Sequence, residues 1–364
     1  MIRDERLYIA APVCFYPRGQ AIWHARRDEA EFYGFGVTCP DREKREMPKE
    51  PAALSKAIFD NCTRMMADST ICIADLENFR GFMPDGGTVY EIGMAYGRGL
   101  PIYGHTRDKR GMGVKYMGGV YETRRVLTKD GAVLPNKEFA FDTCLTAACK
   151  IVEGSFSDCL RTVMEDLEQQ SKQKAVRGFG ETQAQPCETI KRGERPIVYV
   201  SDFYRYDADA PKRYAAMRRV LDEAGFDAIF PTDPAPGVPQ RDFSADPMAA
   251  LYNRFDHYQQ HVRNCDIILA NLNDYLGYEP ASDTGFECGM AFELGKKLFG
   301  FMEDAGPVKN RIAHVEENGR VCDANGYTIE NLGAAQNLMF GGSFNILGGG
   351  FEAAVKQMAR ALNG

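Results

Sequence analysis

Short apolar runs alternate along the chain with longer segments whose apolar positions recur every three or four residues, the pattern of buried strands joined by amphipathic helices. The run LYIAAP at 7–12 predicts a first strand, followed by a helix over 20–33, a strand over 34–40 and a helix over 52–66. The stretch at 71–100, ICIADLENFRGFMPDGGTVYEIGMAYGRGL, is the one around which the rest of the chain is organised. It reads as a strand over 71–74, a Gly/Pro-rich loop over 77–88 and a helix that carries Glu91 in its first turns. A strand over 101–104, a polar excursion over 107–138 and a closing helix over 155–167 complete the unit. Residues 168–195 lose apolar periodicity and read as a linker. Strand and helix in alternation predict an α/β fold around a parallel sheet.

From 196 the pattern starts again, with strand PIVYV, a helix over 212–224, strand GFDAIFP, a helix over 251–263, strand DIILANL and a helix carrying Glu287. FRGFMPDGGTVYEIGMA lies over YLGYEPASDTGFECGMA without a gap, so that Glu91 meets Glu287 and Asp75 meets Asn271, each 196 positions on. Near the start Tyr8 meets Tyr199 at an offset of 191. The prediction is two copies of one unit, 1–167 and 196–364, joined by 168–195 and packed as an internal pseudo-dimer about a two-fold axis. A further homo-oligomer stays open. GGSFNILGGG near the end follows no clear strand, and neither a Walker A run nor a GxGxxG fingerprint stands where a dinucleotide fold needs it.

With 364 residues, 44% hydrophobic and 26% charged, the chain has room for two globular domains with a core in each. A net charge of −7 without any long Lys/Arg run argues against a nucleic-acid partner. No apolar run spans a bilayer, MIRDER leads straight into a strand, and the eleven cysteines include no CxxC pair. These features predict a cytoplasmic chain with reduced thiols and no membrane partner.

Asp85 precedes Glu91 by six residues, which places one carboxyl on the loop and the other inside the helix, both facing one crevice at the carboxyl end of the sheet. The alternative is that Asp85 only caps the helix while Glu91 is a solvated surface residue. Gly86, Gly87 and Gly93 suit close backbone approach. Tyr8, Phe15 and Tyr16 suit either base stacking or core packing. His257 and His261 form an i, i+4 pair without a HExxH glutamate, so no metal is expected.

Taken together, YIAAP, FRGFMPDGGT, EIGMA and the late QNLM (Gln336 to Met339) resemble the nucleoside 2-deoxyribosyltransferase family, with D-x-G-T-x-x-E-x-G the strongest element. The resemblance implies tandem flavodoxin-like (Rossmann-like) three-layer units and a cofactor-free transfer of 2-deoxyribose between nucleobases through a glycosyl-enzyme ester, as in nucleotide salvage. The partners it implies are a deoxynucleoside and a free nucleobase. By the same resemblance Glu91 matches the nucleophile, Tyr8 the tyrosine that orients it, and Asp85 an aspartate that binds a sugar hydroxyl. For the proton donor near the base Asp60 is the nearest match and Asp75, also a substrate-binding candidate, its rival. Gly87 and Phe15 are further candidates for substrate contact.

In this family a neighbouring subunit completes the pocket through an Asn and a Met, matched here by Asn337 and Met339 in the second half only. The first half reads FDTCLTAA around Asp142 and Leu145 instead, whereas Arg80 and Asp85 face Leu276 and Ala281 in the second. The expectation is one composite site, built from Glu91, Asp85 and Tyr8 with Asn337 and Met339, beside a degenerate one at Glu287 and Asp283. Ala10-Ala11-Pro12 departs from the family's Gly before Pro, and base recognition falls near Lys44 rather than an amide. Two alternatives stand beside transfer: an N-glycoside hydrolase of deoxynucleosides or their 5′-monophosphates, with Arg18 the obvious phosphate group, and a nucleotide-binding pseudo-enzyme.

Overall fold

Alternation within the first strand sets the layering. In β1 (Arg6–Ala10) Leu7 and Ile9 face one side, Tyr8 and Ala10 the other, and all four are buried, so both faces of the sheet need helices. The computed structural model describes residues 4–38, 48–116, 121–122, 125–126, 133–176, 193–239, 246–317 and 320–363. Lys44, the end of the strand expected over 34–40, and 177–192 of the expected linker lie outside them.

After β1 come a 3-10 turn (Pro12–Phe15), α1 (Gly19–Phe32), β2 (Gly36–Thr38), α2 (Pro51–Ala67), β3 (Ile71–Asp75), α3 (Gly86–Gly97), β4 (Ile102–Thr106) and the one-turn α4 (Met112–Lys115). The hairpin of β5 (Tyr121–Glu122) and β6 (Arg125–Val126), α5 (Thr143–Ala148), β7 (Lys150–Glu153) and α6 (Phe156–Val176) close the first unit. The second runs through β8 (Ile197–Ser201), a 3-10 turn (Phe203–Tyr206), α7 (Ala210–Glu223), β9 (Asp227–Ile229), α8 (Pro247–Asn264), β10 (Ile267–Asn271), α9 (Ser282–Glu293) and β11 (Lys297–Phe301). It ends with the hairpin β12 (His314–Glu317) and β13 (Arg320–Asp323), α10 (Leu338–Gly341), β14 (Asn345–Leu347) and α11 (Gly350–Asn363).

The sheets have the orders β2-β1-β3-β4-β7 and β9-β8-β10-β11-β14, every pairing parallel. This is the flavodoxin-like arrangement, present twice. Two elements correct the sequence reading. The stretch SFNIL, given no strand, contains the fifth strand β14, and its first-half counterpart β7 was likewise unforeseen. Both are edge strands of three or four residues, too short to show a period. The closing helix also continues past residue 167 to Val176.

α1 and α6 cover the outer face of the first sheet, α7 and α11 that of the second. Between the sheets lies one shared core, to which α2, α3, α8 and α9 all contribute. Its centre is the contact of α3 with α9, and that contact is reciprocal. A Cβ on Gly93 would collide with the Phe286 carbonyl, and a Cβ on Gly289 with the Tyr90 carbonyl, each pair being the other's image 196 positions on. Such i-to-j, j-to-i contact is what a two-fold axis produces. On the same axis Gly81 and Gly277 bridge antiparallel, and their predecessors Arg80 and Leu276 both hold left-handed backbone at φ 52° and 56°. The two loops leading into α3 and α9 therefore cross as two-fold images of each other, and each reaches into the other half.

Candidate functional site

Tyr8 points inward because its strand neighbours point outward, and α3 crosses that inner face. The Tyr8 hydroxyl donates to Glu91 Oε1 at 2.5 Å. Glu91 is only 7% exposed, which removes the surface reading of this residue. Burial pushes its carboxyl up to about 8, aided by the charge of Asp85 and opposed by the Tyr8 hydrogen bond. Asp85 caps α3: its Oδ2 accepts from Thr88 N at 2.7 Å and Thr88 Oγ1 at 2.8 Å. Capping and a place in the cleft turn out to be compatible roles. Burial raises the Asp85 carboxyl too, against the Thr88 bonds that favour its charge.

The second half closes this cleft. Asn337, the N-cap of α10, accepts from Met339 N at 3.0 Å and donates Nδ2 to Asp85 Oδ1 at 3.4 Å. Gly87 makes room, since a Cβ there would lie 2.7 Å from Asn337 Oδ1. Phe15, Trp23, Met339 and three residues of α2 complete a cleft of about 640 Å³, its mouth included. Glu279, also from the second half, is buried and accepts from Gly86 N at 3.2 Å at the start of α3.

Two expected residues lie elsewhere. Asp60 is on the solvent side of α2, its side chain 55% exposed and paired with Lys56 at 2.8 Å. The α2 residues that line the cleft are Ile58, Asn61 and Cys62, at i, i+3 and i+4, a face that position 60 does not share. Asp75, at the end of β3, turns to the outer layer and pairs with Arg26 of α1 at 2.8 Å. Arg80 is likewise outside the cleft: Nε donates to Asp323 Oδ2 at 2.8 Å and Nη2 to the Thr328 carbonyl at 2.7 Å, tying the halves together. Arg18 is exposed before α1 and does not line the cleft.

A family model described as nucleoside 2-deoxyribosyltransferase matches residues 7–142 and again 198–339. The chain belongs to the nucleoside 2-deoxyribosyltransferase family. Among solved structures it is similar to a 2-desoxiribosyltransferase from Leishmania mexicana, with 24% identity over 45% of this chain and 97% of that one and a TM-score of 0.36. A solute binding protein of an ABC transporter from Agrobacterium vitis also matches, at 11% identity over 100% of this chain and 91% of that one, TM-score 0.21. No curated protein matches the sequence.

The second segment that matches the deoxyribosyltransferase model keeps the tyrosine and glutamate but encloses them. Tyr199 donates to Glu287 Oε1 at 2.9 Å, and Ser201 donates to Oε2. Arg205 then clamps both oxygens, Nη1 to Oε1 and Nη2 to Oε2, each at 2.8 Å, with both side chains 1% exposed. In the equivalent 3-10 turns Arg205 stands where the first half has Cys14, a residue that lines the first cleft. Asp283 falls at the position of Gly87, not of Asp85, and is bound by Cys144 N at 2.7 Å and the Tyr206 hydroxyl at 2.8 Å. Sequence reasoning passed over Arg205 and Glu279. Both were visible in the repeat alignment as a charge replacing Cys14 and Met83.

Proposed function

We propose that the cleft around Glu91 moves 2-deoxyribose between nucleobases by double displacement. In this reading 1–167 is the catalytic unit and 196–364 the unit that completes it with Asn337 and Met339. The observation that carries the reading is Glu91, held by Tyr8 beside Asp85, in a cleft whose far wall comes from the other half. Glu91 attacks the anomeric carbon as a carboxylate, the base departs with the glycosidic electron pair, and a second base attacks the resulting ester. Tyr8 orients the nucleophile and favours its charged form, and Asp85 Oδ1 is available to a sugar hydroxyl. No cofactor enters this scheme.

The test is incubation of a deoxynucleoside with a different free base, alongside Glu91→Ala and Glu287→Ala. A new deoxynucleoside that disappears only with Glu91→Ala supports transfer at a single site. Free base and deoxyribose alone indicate a hydrolase instead, and no reaction over a broad panel indicates a binding module.

A further inference from the structure

The two-fold that relates the halves gives the first cleft a counterpart. It is built from the 3-10 turn and α8 of the second half and from residues 133–139 and Thr143 of the first, and it spans about 1080 Å³, its mouth included. The described lining of the two clefts differs in charge. Among the described residues the first cleft is lined by the carboxyls of Asp85 and Glu91 and by no Lys or Arg. Lining the second are Lys137, Arg205 and Arg254, with Glu138 the one acid among its described lining residues.

These cations are not equivalent. Arg205 is consumed by Glu287, which also removes the carboxylate that would serve as nucleophile. Lys137 approaches Glu138 only at 3.9 Å. Arg254, exposed on α8, has no ion-pair partner among the described residues. Tyr206, Tyr258 and Phe139 add aromatic surface to the same walls.

We propose that the second cleft binds a nucleoside 5′-monophosphate without turning it over, its base against the aromatic wall and its phosphate on Arg254 and Lys137. The nucleoside part rests on the first cleft being a deoxynucleoside site, of which this is the folded image. The phosphate part rests on the cations Arg254 and Lys137 in the lining of the second cleft. A site of this kind lets one half sense nucleotide while the other processes nucleoside.

Calorimetric titration of the full chain tests this with dAMP, dTMP, deoxyadenosine and inorganic phosphate, repeated on Arg254→Glu and Arg254→Lys. The expected result is monophosphate binding that weakens roughly tenfold or more in Arg254→Glu, is largely kept in Arg254→Lys and falls with added salt. Deoxyadenosine, which lacks the phosphate, should displace it only when present in large excess. Monophosphate binding that ignores Arg254→Glu, or that deoxyadenosine competes away at equal concentration, overturns the proposal, as does no binding at all. Inorganic phosphate that binds as well as dAMP overturns the nucleoside part. The readout is independent of turnover: a chain that binds dAMP through Arg254 but transfers no sugar sinks the reading of the first cleft and leaves the anion site standing.

Discussion

Arg205 closes on Glu287 through two parallel hydrogen bonds of 2.8 Å, whereas Glu91, its counterpart, is held by a single tyrosine hydroxyl and faces an open cleft. One fold thus carries the same Tyr–Glu pair in two electrostatic states. Glu287→Gln leaves a buried guanidinium without its charge partner, and breaking such a pair destabilises by about 3–5 kcal/mol. Transfer at the first cleft should persist in that variant. Replacing both members, as Arg205→Met with Glu287→Leu, should restore most of the loss. Denaturant unfolding of the parent, Glu287→Gln and the double variant measures it, and a Glu287→Gln protein as stable as the parent would contradict the locked-pair account.

The pH profile should report Glu91. With its carboxyl pushed up to about 8, only about a tenth is ionised at pH 7, so kcat/KM should climb with pH and level off above about 8. Tyr8→Phe removes the hydrogen bond that favours the carboxylate and should move that limb to higher pH. Stability moves the other way. The folded value lies above the unfolded one, so the contribution of Glu91 is complete below about 4.5 and is lost as pH rises toward about 8. A pH-independent rate between 5 and 9 on an order-of-magnitude scale would remove Glu91 as the titrating nucleophile.

Gly87→Ala separates a role in the cleft from one in the fold. Alanine in the first turn of α3 suits the helix by up to about 1 kcal/mol, which offsets the displaced Asn337 cap of α10, so stability should change little. Its Cβ would nevertheless fall 2.7 Å from Asn337 Oδ1 and push that amide off Asp85. A roughly tenfold to hundredfold loss of kcat/KM should follow, with Asn337→Ala showing a similar loss. Wild-type rates in both variants would dismiss the composite site.

Gly289→Ala acts at the axis instead. The new methyl meets the Tyr90 backbone carbonyl, which cannot rotate away as a side chain could, so α3 and α9 must separate. A loss of about 1–3 kcal/mol or more is expected, shared by Gly93→Ala, and thermal unfolding would show it. A neutral result at both positions would mean that the helices have slack at their crossing.

What the sequence made legible was whatever repeats or alternates. β1, β3, α3 and their second-half images follow from period and from the gapless alignment over Glu91 and Glu287. Asp85, Glu91, Gly87, Phe15, Asn337 and Met339 line one cleft, with Tyr8 buried against Glu91. Asp60 failed because a register error of one residue on a helix turns a side chain by about 100°, and the neighbouring Asn61 is the one that faces inward. Asp75 failed for the corresponding reason in a strand: its parity places it on the outer face with Arg26. β7 and β14 carry too few residues to announce themselves, and they are recognised only by the strands they pair with.

Asp142 shows how an eroded copy can keep a shape while changing its chemistry. It stands at the N-cap position of α5, the place Asn337 holds before α10, but its side chain makes no capping hydrogen bond there, so a carboxyl stands in the image position of an amide. Fully buried, with neither oxygen in a well-formed hydrogen bond, it is pushed well above the usual carboxylate range, first by burial and then by the charge of Asp283. A protonated Asp142 matches the amide in charge. As pH rises above the ordinary carboxylate range, the unfolded chain releases this proton while the folded one retains it, and stability declines. Asp142→Asn fixes the neutral form. The variant should match the parent near pH 4 and gain on it by roughly 1 kcal/mol per pH unit above that, until the folded carboxyl itself ionises. Urea midpoints at pH 4, 6 and 8 on this roughly two-unit grid would show the widening gap. Parallel pH curves for the two proteins would mean that Asp142 carries its charge in the fold and that the interface satisfies it in some other way.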